Sequence, residues 1–268
     1  MKPHWINVVR ATGLVTFREI LRDKLLYNIV LFAILVFGAA LLAAQLTHIQ
    51  PERLLIDLGL SGIAISGGMI AILAGSGLLH REVERRTIHL ALSRPVSRPI
   101  FLLGKFTGLS GIIALNWLLL SAALLAMTAI FAAASGMNIG TVIFSPTLFL
   151  ALIFLLMQSL LLGSMTVFFS TFSTPSLSVI FSFGIYLVGV NTAELRFAAE
   201  KIGPSLPASL LNGLALVLPS FERFAPGTRV TYDLPFGFQE AAGIFIYGLA
   251  LISMFLAATG LLIRKREI

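Results

Sequence analysis

The feature that most restricts this chain is a series of apolar runs long enough to cross a bilayer. A helix rises about 1.5 Å per residue and the hydrocarbon core is about 30 Å thick, so a crossing needs roughly 18–20 apolar residues. Six runs qualify: 25–46, 55–79, 100–133, 146–170, 174–191 and 241–263. None alternates with the two-residue period of a lipid-facing strand. The chain is 57% hydrophobic and 12% charged, where a soluble domain carries about 25% charged residues. The expectation is an all-α polytopic membrane protein, with residues 1–268 forming one transmembrane domain of six helices. The run at 100–133 is long enough to project beyond the bilayer. Only Thr171–Thr174 and then Pro175 separate the fourth and fifth runs, which predicts a tight helical hairpin.

Charge placement orients the spans. With the N-terminus inside, the inner segments hold 14 of the 19 Lys and Arg residues, and Arg53, Arg196, Lys201, Arg223 and Arg229 fall outside. Basic residues accumulate on the cytoplasmic side of short loops, so both termini are expected in the cytoplasm. The net charge of +7 then needs no nucleic-acid partner. The first apolar run begins near Leu25 and is too long for the core of a signal peptide, so a retained first span is expected. There are no cysteines, which excludes disulfides and thiolate chemistry.

Residues 1–24 are not a span. Ile6, Val9, Phe17, Ile20 and Leu21 recur near helical spacing, with Arg10, Arg18 and Arg22 displaced from them and Trp5 suited to the headgroup level. That pattern predicts an interfacial amphipathic helix. At the other extreme, 192–240 reads as a long extracytoplasmic loop with Pro204, Pro207, Pro219, Pro226 and Pro235. Its apolar piece, ASLLNGLALVLPS, is too short to span. It is either a re-entrant or surface-lying helix or part of a small cap.

Catalytic signatures are missing. His4, His48, His80 and His89 are scattered, with no His-Glu-x-x-His, and no Gly-x-Ser-x-Gly occurs. LLGKF has a Gly-Lys pair without the rest of a P-loop. No catalytic, metal or cofactor site is expected, and an enzyme acting on lipid within the membrane finds no acid or histidine cluster to use. Asp57 and Glu240 lie near outer span ends and no acid lies mid-span, which argues against an ion-coupled transporter. Among the polar residues in the spans, Lys105 is expected to snorkel to the inner interface. Asn116 and Gln158 are expected to hydrogen-bond between helices, and Asn191 closes the fifth run. Gly67, Ala71 and Gly75 form a small-residue stripe, which suits close helix packing inside the chain or a contact between copies.

The densest charge lies at 80–105, HREVERRTIHLALSRPVSRPIFLLGK. Arg81, Arg85, Arg86, Arg94 and Arg98 could be topology anchors alone. But Glu82 can pair with Arg86 one helical turn on, and Val83, Ile88, Leu90 and Leu92 supply an apolar side. Pro95 disfavours helix at Arg94 and ends the element near Ser93. Pro99 suits the first turn of the next helix. Helix, sharp turn and helix on the cytoplasmic side describe a protein-docking element.

At these residues the chain resembles the permease subunits of ABC-2 type transporters. The pattern is carried by Glu82, Glu84, Thr87, Ile88, Leu90, Leu92, Pro95, Val96, Ser97, Arg98, Gly104 and Lys105, with Arg86 where many members have Gly. LPSFERF at 218–224 also resembles the outer loop of the branch containing the nitrous-oxide-reductase maturation permease, with Ser220 in place of an Asn. The resemblance implies two permease copies, or this chain and a related subunit, paired with two cytoplasmic ATPase subunits that hold the ATP and Mg. It implies that 82–94, within the cytoplasmic loop 80–99, is a coupling helix. Glu82, Glu84, Arg85 and Arg86 would make its charged contacts and Ile88 and Leu92 its apolar ones, with Thr87, Arg94, Pro95 and Arg98 completing the element. The N-terminal helix would be a second contact and the outer loop a gate. The implied setting is export across the bacterial inner membrane. The alternative is a mechanical or regulatory component acting on an extracytoplasmic partner.

Overall fold

The computed structural model describes residues 4–46, 51–84, 98–134, 145–203, 205–225, 230 and 236–265. Every regular element among them is helical. In chain order these are α1 (His4–Leu21), α2 (Lys24–Leu46), α3 (Pro51–Glu84), α4 (Arg98–Ala134), α5 (Pro146–Ser170), α6 (Pro175–Val190), α7 (Thr192–Ile202), α8 (Leu206–Val217), a 3-10 turn (Phe221–Phe224) and α9 (Phe238–Lys265). Proline opens several of them: Pro146 and Pro175 sit in the first turns of α5 and α6, where a missing N–H has no intrahelical partner to lose. Thr174 caps α6, its side chain accepting from the Leu177 N–H at 3.5 Å.

By length and composition, four helical stretches among the described residues can cross a membrane: Arg53–Leu78, Arg98–Ala134, Pro146–Ser170 and Phe238–Ile263. A fifth is added if α6 and α7, bent by 63° to one another, count as one. The expected first span falls in α2, of which Ala33–Ala43 is the apolar stretch recognised among the described residues. The protein is thus a multi-pass, all-helical membrane protein.

Two expectations change. The fifth span was drawn as 174–191, but α6 has 16 residues and is about 24 Å long, short of the hydrocarbon thickness. It reaches crossing length only together with α7. The segment from 192 to 240 was drawn as a loop, yet it begins with two helices packed on each other. Here α8, with 12 residues, is about 18 Å long. The second span, expected at 55–79, agrees with the crossing stretch Arg53–Leu78, and the helix that carries it runs on past the span. No Gly or Pro follows until Pro95, and α3 continues to Glu84.

α5 is the centre. On one side it meets α3, whose Gly67, Ala71 and Gly75 face it. A methyl on Gly67 would collide with Ser159 Oγ, one on Gly75 would lie 3.3 Å from the Thr166 side chain, and Gly163 of α5 approaches the Ala71 Cβ. Two buried apolar clusters flank this seam. One runs through Ile70, Leu109, Ile113, Leu161 and Met165, the other through Phe37, Ile63, Leu124, Leu148 and Leu155. The polar side chains inside the bundle link helices. Ser66 donates to Asn116 Oδ1 at 3.3 Å, Gln158 Nε2 donates to the Tyr186 hydroxyl at 2.9 Å, and Trp117 Nε1 donates to the Leu152 carbonyl at 2.6 Å.

Candidate functional site

Two places combine charge, burial and close contact: the N-terminal part of α4 and the turn after α8.

Along the N-terminal part of α4, α1 lies against it with almost no side chain between them. A methyl on Gly104 would lie 2.7 Å from Thr12 Cβ, and one on Gly108 would lie 2.6 Å from both the Gly13 carbonyl and Thr16 Cβ. Small residues bring the backbones together. Thr16 and Ile20 are buried in the contact, while Trp5, Leu14 and Val15 are exposed. Lys105 does not snorkel. It is only 4% exposed, and its Nζ lies 3.9 Å from Glu19 Oε2 and 5.8 Å from the Phe101 ring centre. The helix beside it supplies a carboxylate, so the ammonium is neutralised inside the protein instead of reaching for the interface. Thr16, Glu19, Asp23 and Lys105 share the wall of a cavity of about 30 Å³.

Of the expected coupling residues, Glu82 and Glu84 lie on the last turn of α3. Arg85, Arg86, Thr87, Ile88, Leu92, Arg94 and Pro95 fall outside the described residues. Arg98 opens α4, and its Nη1 donates to the Ile263 carbonyl at 3.0 Å. The start of α4 is thereby tied to the last turns of α9, a contact between residues far apart in the chain that no local pattern announces.

At the second place, Pro219 stops the chain from continuing α8, and the 3-10 turn drives two aromatic rings inward. Phe221 and Phe224 are fully buried. Phe221 meets Tyr186 of α6 edge-on at 5.4 Å, and Phe224 stacks on Tyr247 of α9 at 6.0 Å. Gly189 is needed here, because a side chain on it would collide with the Pro219 carbonyl and the Phe221 ring. The Ser220 N–H donates to the Tyr247 hydroxyl at 3.0 Å. Glu222 turns back to the start of α7, where its Oε2 accepts from the Ala193 N–H at 2.8 Å and the Thr192 hydroxyl at 3.0 Å. A carboxylate at a helix N-terminus satisfies donors that the helix leaves free. Sequence reasoning singled out LPSFERF only through resemblance. Its physical signal is an aromatic pair three residues apart after a proline, with an acid between them.

Between α7, this turn and the first turns of α9 lies a cleft of about 860 Å³. Arg196, Phe197 and Glu200 come from α7, Arg223 from the turn, and Glu240 and Ile244 from α9. The Arg223 guanidinium sits 5.1 Å from the Tyr247 ring centre. The cleft can hold a ligand of drug-like size. Among the described residues, no group of three or more His, Asp or Glu side chains stands together as a metal site.

The family profile described as "ABC-2 family transporter protein" matches residues 16–232, from within α1 through the cleft-forming turn. No curated protein matches the chain. With most of its length inside that match and a bundle of membrane-length helices to carry it, the chain belongs to the ABC-2 transporter family, as a non-catalytic permease subunit of an ABC transporter that works with an ABC ATPase.

Proposed function

We propose that this permease is the export pathway of an inner-membrane ABC-2 transporter, driven through residues 82–94 by a separate cytoplasmic ATPase that holds the ATP and Mg. Both termini lie in the cytoplasm, six helices cross the membrane, and two permease copies, or this chain and a related subunit, face two ATPases. The observation that carries the reading is the family match over 16–232, which includes the charged block at 80–105.

The geometry supports a way for force to spread from that block. The helix carrying Glu82 and Glu84 is continuous with α3, and α3 packs along the central α5 through Gly67 and Gly75. On the other side of the block, Arg98 joins α4 to α9, and the glycine seam with the Lys105–Glu19 pair joins α4 to α1. A push on the block therefore reaches α3, α4, α1 and α9 through contacts too tight to absorb it. The test is to replace Glu84 and Arg86 with Ala and measure ATPase co-purification and permease-stimulated hydrolysis. Loss of both, with the permease still folded, is expected; unchanged values for both would remove the coupling role.

A further inference from the structure

We propose that the cleft between α7, the 3-10 turn and α9 is a binding site for the headgroup of a zwitterionic phospholipid, one carrying a phosphate and a primary ammonium. This goes beyond the transport reading and does not depend on it.

The charges on the cleft walls call for a ligand with both signs. Arg196 and Arg223 provide two guanidinium groups, and Glu200, Glu222 and Glu240 provide carboxylates. A simple anion would be repelled by the carboxylates and a simple cation by the arginines. A ligand with a phosphate and an ammonium a few ångströms apart can satisfy both. Glu222 is already engaged with the N-terminus of α7, which makes Glu200, on the facing wall of α7, the carboxylate suited to the ammonium. The guanidinium of Arg223 rests against the Tyr247 ring, an arrangement that keeps its N–H edges for a phosphate. Arg196 reaches the Ala215 carbonyl only at 3.5 Å, the long limit of a hydrogen bond, so its arm is steered toward α8 without its fork being satisfied.

The surroundings place this ligand in a membrane. Glu240 and Ile244 lie in the opening turns of the crossing stretch Phe238–Ile263, so the cleft sits where that helix meets the headgroup layer. Phe197 and Ile244 add apolar surface within it. Near the cleft, α7 exposes Ile202, α8 packed on it exposes Leu210, Leu214 and Leu216, and α9 exposes Phe245, Ile246 and Leu249. Acyl chains have apolar surface to follow once the headgroup is seated. A soluble peptide of mixed charge would match the charges but not this apolar border.

The test is native mass spectrometry of the full chain released from detergent with equal amounts of phosphatidylethanolamine, phosphatidylglycerol and diacylglycerol. Phosphatidylethanolamine should be retained about tenfold over diacylglycerol, as expected for one or two charge-assisted hydrogen bonds, with phosphatidylglycerol between them. Arg196→Ala should weaken both phospholipids several-fold. Glu200→Gln should weaken phosphatidylethanolamine alone, because only that lipid brings an ammonium. The thermal unfolding of each variant in the same detergent checks that it is folded, and the wild-type preference needs no variant. Equal retention of the three lipids would overturn the proposal. So would a phosphatidylethanolamine preference untouched by both substitutions, or capture of a mixed-charge peptide with no lipid preference.

Discussion

α5 and α9 are nearly equal in mean hydropathy, yet 72% of an apolar 18-residue window of α5 is buried inside the protein and only 11% of that of α9. In water such a difference would be written in composition, because exposed apolar surface is unfavourable. In lipid it is not, since acyl chains are as apolar as Leu and exert no hydrophobic penalty on either face. Both helices carry small residues, and what separates them is which of these are buried. α5 buries Gln158, Ser159, Gly163, Ser164, Thr166 and Ser170. α9 buries only Gly248, Ile252 and Thr259 among its described side chains. The hydroxyls of α5 bond to its own carbonyls, as Ser159 does to Leu155 at 3.0 Å and Thr166 to Leu162 at 2.8 Å. They are therefore small surfaces against which a neighbour can close, and on α5 neighbours do close on them, whereas Gly243 and Ser253 of α9 stay exposed.

That comparison can be broken most directly by adding volume to the seam. Gly67→Leu, opposite Ser159, should destabilise the protein by about 3 kcal/mol, the upper range for overpacking, read as the midpoint of unfolding in dodecyl sulfate mixed micelles. Gly243 of α9 has no neighbour within 4 Å of an added Cβ, so Gly243→Leu sets the opposite limit below. If the two substitutions cost the same, burial in the fold does not distinguish these helices.

A second test concerns the other close seam, α1 on α4. Glu19→Gln removes the charge of the carboxylate that lies 3.9 Å from the buried Lys105 Nζ. Breaking a buried pair costs about 3–5 kcal/mol, but Glu19 is 37% exposed, so a loss of roughly 1–2 kcal/mol is expected after solvent screening. The double variant Glu19→Gln with Lys105→Met should recover most of it. Additive losses in that cycle would deny the pair any role in holding α1.

Smaller effects sharpen the picture. Gln158→Leu removes the bond from α5 to Tyr186 of α6 and should cost about 0.6–1.7 kcal/mol, the range for hydrogen bonds between membrane helices. Tyr247→Phe removes the acceptor for the Ser220 N–H, one of the few polar ties of α9, and should cost about 0.5–1 kcal/mol. Its clearest readout is faster hydrogen exchange at Ser220 while the centre of α5 stays protected. Gly243→Leu should change stability by less than about 0.5 kcal/mol.

Much of the architecture was legible from run length and charge. The runs at 100–133 and 146–170 nearly coincide with α4 and α5, because Pro99, Pro146 and Pro175 mark helix starts that any packing must respect. The polar residues Asn116 and Gln158 were expected to bond between helices, and each does. The placement of α7 was not legible. Nothing local announces a 63° bend at Asn191, because the bend is held by Glu222, about thirty residues on. Lys105 was misread for a related reason. A lysine near a span end ordinarily reaches for water, and only the docking of α1 brings Glu19 close enough to keep it inside. Arg98 was grouped with the coupling residues on resemblance, whereas its bond to Ile263 depends on where α9 ends in space.

The sequence alone determined that this chain is helical and lives in a membrane, and where its helices can begin. Those properties follow from apolar length and proline placement, each of which acts within one segment. The tertiary structure decided which helix is central, which charges are buried as pairs, and where the turn after α8 is anchored. Those depend on backbones coming within a few ångströms of one another at Gly67, Gly108 and Gly189, and lipid, being as apolar as the spans, leaves no trace of that choice in hydropathy.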